Sequence, residues 1–328
     1  MTNLEPGDRP FLKYSIQIIR IEKTLYEELK RCSGFLGRVG QIYQNGFDLI
    51  KEEGRKVIHF RAGEWLHSPF GAILDLPVRK WMGEVSLKEG DLFWKEGQSL
   101  IRKSRNGCSI ELDPCHIVNL RRTLFSSPPG SNTLLSSILI LMEEILKSGK
   151  FEGMAGTCLL LKNQCADILS DFPSLSLWSR HALPQVKRLI ESALSEDLAL
   201  FEEVWERLLG LGPGLTPAGD DFLVGFLASH KLLSSSFGRK LDDDYRKRRL
   251  REKAQSKTNR IAFQFLDDAL EGIFSETLYL VFDSLASEGE QGNPEKRERE
   301  EIEYFLRWGH SSGADTLTGA AFGLWTMI

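Results

Sequence analysis

The residues best suited to chemistry form one glycine-rich stretch, Gly210-Leu-Gly-Pro-Gly-Leu-Thr-Pro-Ala-Gly-Asp-Asp-Phe-Leu-Val-Gly225. Gly212 and Gly214 permit positive φ and let the backbone approach a ligand closely. Thr216 followed by Pro217 predicts an N-cap and the first residue of a helix. Backbone N–H groups at such a helix start can hold a phosphate or a carboxylate. We therefore predict an anion-binding turn here.

Two adjacent acids follow this turn and allow two interpretations. Asp220 and Asp221 would lie in the first turn of the helix, where the helix dipole favours each carboxylate by about 0.3–1 kcal/mol. They would also repel an anion at the same amides unless a cation or a proton intervenes. Either both acids only stabilise the helix, or one of them orients a ligand amine or amide, or binds a divalent ion together with the ligand.

A second stretch near the C-terminus repeats the pattern of the first. The spacing G-x-D-x-L-x-G occurs at Gly219–Gly225 and again at Gly313–Gly319. On a helix, Asp221 lies on the same face as the glycine four residues later, and so does Asp315. We predict that the two helices pack closely through small residues and place both acids around one cavity. A helix crossing without a site, and a chance match of a short pattern, are the alternatives.

The second stretch also carries an imidazole and two hydroxyls. His310 could bind an anion or carry a proton, or it could be only a capping or surface histidine. Ser311 and Ser312 are cap candidates for the second helix. With Asp221 and Asp315, His310 forms the predicted catalytic set. The predicted substrate-binding residues are Gly212, Gly214, Leu215, Thr216, Gly219, Asp220, Ser311, Ser312 and Gly313.

The first part of the chain reads as strands and turns. Short, partly alternating apolar segments separated by Gly, Pro, Asn or Asp predict a small barrel or sandwich. Asn106-Gly107 is the best hairpin-turn candidate, because both residues tolerate positive φ. The predicted strands are 57–60, 72–76, 92–94, 109–112 and 116–120.

After a linker at Ser126–Ser131 the pattern becomes helical, with apolar residues near a 3.6-residue period and glycines at the ends. We therefore predict an α+β fold with a β-rich barrel- or sandwich-like domain at residues 1–130 and a mainly α-helical domain at 131–328. The predicted helices are 132–147, 189–209, from 217, 258–269, 275–285, 294–308 and from 313 to the end.

Composition excludes several classes of protein. The 328 residues are 41% apolar and 27% charged, which is typical of a folded globular chain rather than a collagenous or disordered one. A net charge of −4 gives no overall basic surplus for nucleic acid. The basic run Arg239–Lys253 is interrupted by Asp242-Asp-Asp244, so we predict a solvated loop or an exposed helix and no nucleic-acid partner.

The expected setting is cytoplasmic. None of the five cysteines forms a C-x-x-C pair, so we expect reduced thiols. The polar segment Met1–Pro10 does not look like a signal peptide. The longest apolar run, Leu134–Met142, is much shorter than the ~20 residues that span a bilayer, so no membrane association is predicted.

Both motifs resemble the family that includes the AllH-type subunit of oxamate carbamoyltransferase, from anaerobic allantoin breakdown. The chain departs from the family pattern at Ala218, where Ser is common, and at Ser311, where Thr is common. The loss of a hydroxyl at Ala218 argues against a role for that position as a donor. The matching residues are Gly210, Gly212, Gly214, Leu215, Thr216, Pro217, Gly219, Asp220, Asp221 and Gly225 in the first motif, and Gly309, His310, Ser312, Gly313, Asp315 and Gly319 in the second.

The resemblance implies a subunit that works with partner subunits in purine catabolism, moving a carbamoyl group between oxamate and carbamoyl phosphate. Such a reaction needs a cradle for a small anionic substrate and donors for a carbonyl oxygen that gains negative charge. The resemblance leaves open whether Mg²⁺ takes part, and a subunit of this kind need not be active alone. The rival hypothesis is a non-catalytic assembly or small-molecule-sensing module whose glycine helices form a partner interface.

Overall fold

The computed structural model describes residues 12–51, 56–62, 68–75, 87–103, 107–112, 115–120, 123–164, 175–286 and 294–328. The chain divides into two compact units, residues 1–120 and 121–328. The first unit is a β-barrel and the second is helical, which confirms the α+β class with the β-rich part first. The division into separate domains after residue 130 stays a prediction.

The first unit contains nine strands and one helix in its described residues. The helix, α1 (Lys23–Arg31), begins at Glu22, whose carboxylate accepts the amides of Thr24 and Leu25 at 2.8 and 2.9 Å. The strands are β1 (Leu12–Glu22), β2 (Gly34–Tyr43), β3 (Gly46–Lys51), β4 (Val57–Ala62), β5 (Gly71–Leu74), β6 (Leu92–Glu96), β7 (Ser99–Arg102), β8 (Gly107–Glu111) and β9 (His116–Val118).

Eight of these strands close into a barrel. Their order is β5-β4-β3-β2-β6-β7-β8-β1, and β1 returns to pair antiparallel with β5. The length of β1 makes the closure possible, because its first half pairs with β8 and its second half pairs with β5. Strand β9 adds to the end of β1 as a parallel extra strand. Of the two predicted alternatives, a barrel and a sandwich, the structure therefore shows the barrel.

Stacked aromatic rings fill part of the barrel core. Phe47 lies between Phe60 and Phe93, with ring centroids 4.9 and 5.7 Å apart, and all three side chains are fully buried. Side chains rather than a ligand therefore occupy this part of the core, as is usual in eight-stranded barrels.

A buried polar network also joins β2, β3 and β4. Asp48 accepts a hydrogen bond from the Tyr43 hydroxyl at 2.7 Å and lies 2.8 Å from His59 Nδ1. Arg61 donates to the same carboxylate at 3.1 Å. These contacts hold the pKa of Asp48 well below its usual value, with His59 and Arg61 outweighing the desolvation that would raise it.

All five predicted strands are present, but β1, β2, β3 and β7 were not predicted. In β2 the apolar alternation is interrupted by glycines, and Gly37 shows their purpose. A Cβ there would overlap the carbonyl oxygen of Ile50 on β3, so the glycine permits close strand approach. The predicted hairpin turn at Asn106 lies outside the described residues, and its second residue, Gly107, begins β8.

The second unit is helical. A 3-10 helix, Ala155–Gln164, follows the first long helix. The α-helices are α2 (Ser131–Ser148), α3 (Leu177–Leu194), α4 (Leu198–Leu208), α5 (Ala218–Leu232), α6 (Ser236–Lys240), α7 (Asp244–Lys257), α8 (Arg260–Leu270), α9 (Glu276–Ala286), α10 (Pro294–Leu306) and α11 (Ser312–Trp325).

The single helix predicted at 189–209 is wrong, because the chain breaks after Leu194. Glu196 adopts a φ of +53°, which no helix accommodates. Asp197 then caps α4, and its carboxylate accepts the amides of Ala199 and Leu200 at 3.0 Å each. The apolar spacing continues across the break, so the periodicity concealed a cap that only the local hydrogen bonds reveal.

Helices α5 and α11 lie at the centre of the helical unit. Nearly every residue of both helices is buried, which is typical of helices surrounded by others. Ser229 of α5 donates its hydroxyl to the carbonyl of Ala320 on α11 at 2.8 Å. The predicted close packing of these two helices through small residues is confirmed.

The basic run Arg239–Lys253 forms parts of α6 and α7, in agreement with the predicted exposed helix. Its charges face neighbouring acids. Arg246 and Arg249 both contact Glu202, at 2.8 and 3.0 Å, and Lys253 pairs with Glu206. The arrangement satisfies much of the positive charge inside the unit.

Two other expectations concern thiols and membranes. Cys32, Cys108, Cys115 and Cys158 form no disulfide bond among the described residues, and Cys165 lies outside those residues. None of the helices in the described ranges is long and apolar enough to cross a membrane.

Candidate functional site

The two glycine-rich motifs meet at the starts of α5 and α11. The hydroxyls of Thr216 and Ser312 lie 2.8 Å apart, within hydrogen-bonding distance, although 96 residues separate them in the chain. Behind this contact the two helices continue side by side. The predicted juxtaposition of the helix starts is therefore present in the structure.

The turn before α5 depends on glycine. Gly210, Gly212 and Gly214 have φ values of +71°, +106° and +104°, in the region that side chains rarely adopt. A Cβ on Gly210 would also overlap the carbonyl oxygen of Lys257. At Gly214, by contrast, the nearest atom is 4.0 Å away, so this glycine faces open space.

The prediction that a hydroxyl side chain caps each of the two helices is wrong. Pro217 occupies the N-cap position of α5, and Ser311 occupies that of α11, but neither helix has a side-chain cap hydrogen bond. The Thr216 hydroxyl, predicted to cap α5, is directed to Ser312 instead. Local sequence signalled the helix start correctly, and tertiary packing gave the hydroxyl a different partner.

Some of the backbone N–H groups near the helix starts are already used. Gly219 donates to the carbonyl of Leu211 at 2.8 Å, and Gly313 donates to that of Trp308 at 3.2 Å. A Cβ on Gly219 would overlap the Leu208 carbonyl oxygen, and one on Gly313 would overlap that of Phe305. These two predicted substrate-binding glycines therefore serve close packing in the structure.

Other amides of the turn have no partner within the part of the chain that the structure describes. They belong to Gly214, Leu215 and Thr216, for which no backbone donation is found. Leu215 is also unusual for an apolar residue, with 48% of its surface exposed. The turn thus presents N–H groups at the surface directly before a helix.

Asp220 fixes the turn from inside. It is buried, and its carboxylate accepts the Gly210 amide at 2.8 Å and the hydroxyl of Thr258, just before α8. Burial raises the pKa of Asp220 to about 6, although both hydrogen bonds oppose the rise. Because both oxygens are occupied by the protein, Asp220 acts on the shape of the turn.

Asp221 lies beside the contact between the two motifs. It is buried, with only 8% of its surface exposed, and one carboxylate oxygen has no hydrogen-bond partner. Burial first, and then the negative charge of Asp315, raise its pKa well above the usual value. The hydroxyls of Ser312 and Thr216 act in the opposite direction.

Asp315 is the most enclosed of the three acids, with 0% exposed. One carboxylate oxygen accepts the amide of Met154, and the other has no hydrogen-bond partner. Burial raises the pKa of Asp315 to about 7, while the Met154 amide and the Ser311 hydroxyl act against the rise. The structure therefore brings two incompletely satisfied acids together at the motif contact.

The sequence interpretation missed the segment that supports Asp315, residues 150–157. A Cβ on Gly153 would overlap the Asp315 carboxylate, so the glycine makes room for the acid. The Gly153 carbonyl in turn accepts the hydroxyls of Ser176 and Ser179 at 2.8 and 2.7 Å. The spacing of Gly153 and Gly156 in Phe151-Glu-Gly-Met-Ala-Gly156 was the available sequence signal for a tight backbone approach.

His310 lies on the surface at the edge of the second motif. Its side chain is 84% exposed, and its Nε2 lies 3.5 Å from a carboxylate oxygen of Glu152. The structure thus pairs His310 with an exposed acid. Its predicted proton-carrying role stays a prediction.

A protein-bound Mg²⁺ would require a cluster of side chains that can ligate it. Across the described ranges there is no group of three or more His, Cys, Asp or Glu residues that could hold a metal ion. Asp221 and Asp315 form a pair of acids rather than such a group.

The fold and the motif contact define an α+β protein whose helical unit carries two glycine-rich helix starts over buried acids. The family model of the oxamate carbamoyltransferase subunit AllH matches residues 208–324. This match covers both motifs and confirms the family assignment made from them. Over this region the chain is therefore related to a subunit of a carbamoyltransferase. No solved structure matches the chain significantly.

Proposed function

We propose that this chain is a subunit of a carbamoyltransferase-type enzyme and that it binds a small carboxylate-amide, such as oxamate, or carbamoyl phosphate, where α5 and α11 begin. One observation carries the proposal. At the contact between the motifs, Asp221 and Asp315 each keep a buried carboxylate oxygen without a hydrogen-bond partner.

The unpartnered oxygens favour a ligand that donates N–H groups. Leaving a buried acceptor unsatisfied costs about 1–3 kcal/mol, and more when it is charged. A primary amide or carbamoyl –NH₂ has two N–H donors, one for each of the two unpartnered carboxylate oxygens. The acids therefore suit the nitrogen end of the proposed substrates.

The turn before α5 suits the other end of the same molecules. Its surface amides at Gly214, Leu215 and Thr216 precede a helix, where the dipole favours negative charge. A carboxylate or phosphate would accept these N–H groups. The site would then offer donors at its rim and acceptors at its floor, which is the arrangement that a molecule with one anionic and one amide end requires.

The chemistry of transfer gives Asp315 a further role. In transfer from carbamoyl phosphate to oxamate, a C–N bond forms between the carbamoyl carbon and the oxamate nitrogen. The C–O bond to phosphate breaks, and the nitrogen releases one proton. An acceptor works best when its pKa is close to the working pH. Asp315, with a pKa of about 7, meets that condition.

His310 would have a different role from the buried acids, because its side chain lies at the surface. Its exposed ring would exchange a proton between the site and solvent rather than act at the buried acids. The substitution His310→Gln should then reduce turnover of the assembled enzyme while leaving ligand affinity unchanged. A loss of affinity would assign it to binding instead.

Binding by the purified chain tests the proposal without requiring the partner subunits. Isothermal titration calorimetry with oxamate and with carbamoyl phosphate should give saturable binding. Asp221→Asn and Asp315→Asn should weaken it about tenfold or more, because each replaces an acceptor oxygen by a donor. Asp244→Asn, at the exposed start of α7, is the matched control. Absence of binding by the unaltered chain would contradict the proposal.

A second candidate function, the assembly or sensing module, is favoured by a different observation. The glycines at 219, 225 and 319 are all accounted for by close backbone packing. The glycine helices themselves cannot form the partner interface predicted from the sequence, because both are buried within their own unit. A module of this kind would therefore hold a partner subunit through another surface, without binding oxamate. Copurification of a stable complex from cells, together with no calorimetric response to either ligand, would support it.

A further inference from the structure

Apart from the exposed His310, neither motif supplies a cation to the proposed site. It contains three acids, Asp220, Asp221 and Asp315, whereas the substrates proposed for it are anions. Burial raises the pKa of all three acids, so they repel an anion less than free carboxylates would, but none of them attracts one. Backbone amides alone carry only partial charges.

Lys150 is placed to provide that charge. It is the first residue of the segment that supports Asp315, and its Nζ donates to the carbonyls of Leu306 and Gly309 at 2.7 and 2.9 Å. Gly309 is the first residue of the second motif. It lies against Ser312, since a Cβ on Gly309 would come within 3.0 Å of the Ser312 hydroxyl oxygen.

The ammonium group keeps one donor for a ligand. A lysine has three N–H donors, and the two carbonyls use two of them. The Lys150 side chain is half-buried, and burial lowers its pKa while Glu152 and Asp315 raise it. Among the described residues, Glu152 and Asp315 are the charged groups that act on Lys150, and Glu152 also lies 3.5 Å from His310 Nε2. The charge is thus held next to the second motif by backbone contacts rather than by a carboxylate.

We propose that Lys150 is a substrate-binding residue, and that its ammonium group binds the carboxylate or phosphate end of the ligand that enters between the two motifs. This inference rests on the proposed function. It extends the site beyond the region matched by the family model, which begins at residue 208. It also specifies the ligand, which must carry its negative charge at one end and its amide at the other.

A pair of ligands separates this role from a merely structural one. Oxamate and its neutral analogue oxamide share the amide end and differ only in the carboxylate. Lys150→Met should weaken oxamate binding about tenfold or more, as expected for the loss of a charged hydrogen bond, and should change oxamide binding less than about twofold. Lys150→Arg should recover part of the oxamate affinity. Lys187→Met, on an exposed position of α3, is the control.

The outcomes are distinct. Equal weakening of oxamate and oxamide, or unchanged affinity for oxamate, overturns the role of Lys150 while leaving the proposed function intact. If the unaltered chain binds neither oxamate nor carbamoyl phosphate, the proposed function fails. Inorganic phosphate then tests Lys150 alone: binding that Lys150→Met abolishes supports it, and binding that this variant retains, or no binding at all, overturns it.

Discussion

Gly225 of α5 and Gly319 of α11 each lie against the backbone of the opposite helix. A Cβ on Gly225 would overlap the carbonyl oxygen of Thr316, and a Cβ on Gly319 would overlap that of Phe222. The relationship is reciprocal, so the two helices approach at backbone contact distance on both sides of the crossing. This proximity places Asp221 and Asp315, each four residues before one of these glycines, in a common region.

Alanine at either glycine should separate the helices. We expect Gly225→Ala and Gly319→Ala each to lower the free energy of unfolding by about 1–3 kcal/mol or more, since the added methyl group meets backbone that cannot rotate away. Urea unfolding followed by circular dichroism measures this. Gly272→Ala is a demanding control, because Gly272 has a φ of +71° but a Cβ there would meet no atom within 4 Å. A larger loss in the control would contradict the packing argument.

Gly153→Ala should disturb Asp315 directly. The new methyl group would overlap the carboxylate, which is fully buried and cannot move into solvent. We expect a loss of stability of about 1–3 kcal/mol and weaker oxamate binding, measured by urea unfolding and calorimetry. Gly130→Ala is the matched control, since a Cβ there meets no atom within 4 Å. Unchanged ligand affinity in a folded Gly153→Ala variant would separate this segment from the site.

The contact between Thr216 and Ser312 should appear as an energetic coupling. Thr216→Val and Ser312→Ala each remove one hydroxyl of the 2.8 Å pair. In a double-mutant cycle of unfolding free energies, we expect a coupling of about 0.5–1.5 kcal/mol, the usual net value of one hydrogen bond. Strict additivity of the two substitutions would show that the motifs do not depend on each other at this point.

The raised pKa of Asp315 predicts how stability depends on pH. The unfolded chain ionises this group near 3.8 and the folded chain near 7, so between these values the folded state binds one more proton. The contribution of this group to the free energy of unfolding is therefore greatest below pH 3.8 and falls as the pH rises to about 7. Within that window the loss is roughly 1.4 kcal/mol for each increase of one in pH.

Asp315→Asn should remove this dependence. We expect the variant to gain stability relative to the unaltered chain as pH rises from about 4 to about 8, with the change concentrated in that window. Asp244→Asn, in which an exposed acid is replaced, should show no such trend. Urea unfolding at several pH values measures both, and a flat difference for Asp315→Asn would mean that the group ionises normally.

In the barrel, Asp48 gives a prediction of opposite sign. His59 and Arg61 lower its pKa in the folded protein below the value of 3.8 in the unfolded chain. The contribution of Asp48 to the free energy of unfolding is therefore fully present above pH 3.8 and is lost as the pH falls towards its pKa in the folded protein. Asp48→Asn should cost about 3–5 kcal/mol at neutral pH, as expected when one partner of a buried charged network is removed. Asp75→Asn, at an exposed position, should cost little. Equal effects would contradict the importance of the network.

Sequence patterns predicted much of the secondary structure and failed where contacts override local preference. The apolar period ran through residues 195–197, so it could not reveal that Asp197 caps a new helix. Gly37 and Gly40 interrupted the apolar pattern of β2 and concealed a strand, because both lie directly against Ile50 of β3. Thr216 carried a strong capping signal, yet its hydroxyl bonds to a residue 96 positions away.

The residues by themselves determined the two motifs, the repeated acid-and-glycine spacing and the family to which residues 208–324 are matched. The sequence could reveal these features because very few residue types fit a turn at positive φ, and very few fit a helix crossing in which the two backbones touch. Only the tertiary structure decided which acids are satisfied, since Asp220 is bonded by Gly210 and Thr258 whereas Asp221 and Asp315 keep unpartnered oxygens. The tertiary structure also placed Lys150 and Met154 beside the second motif. The sequence could not show this, because these hydrogen bonds join segments that are distant in the chain.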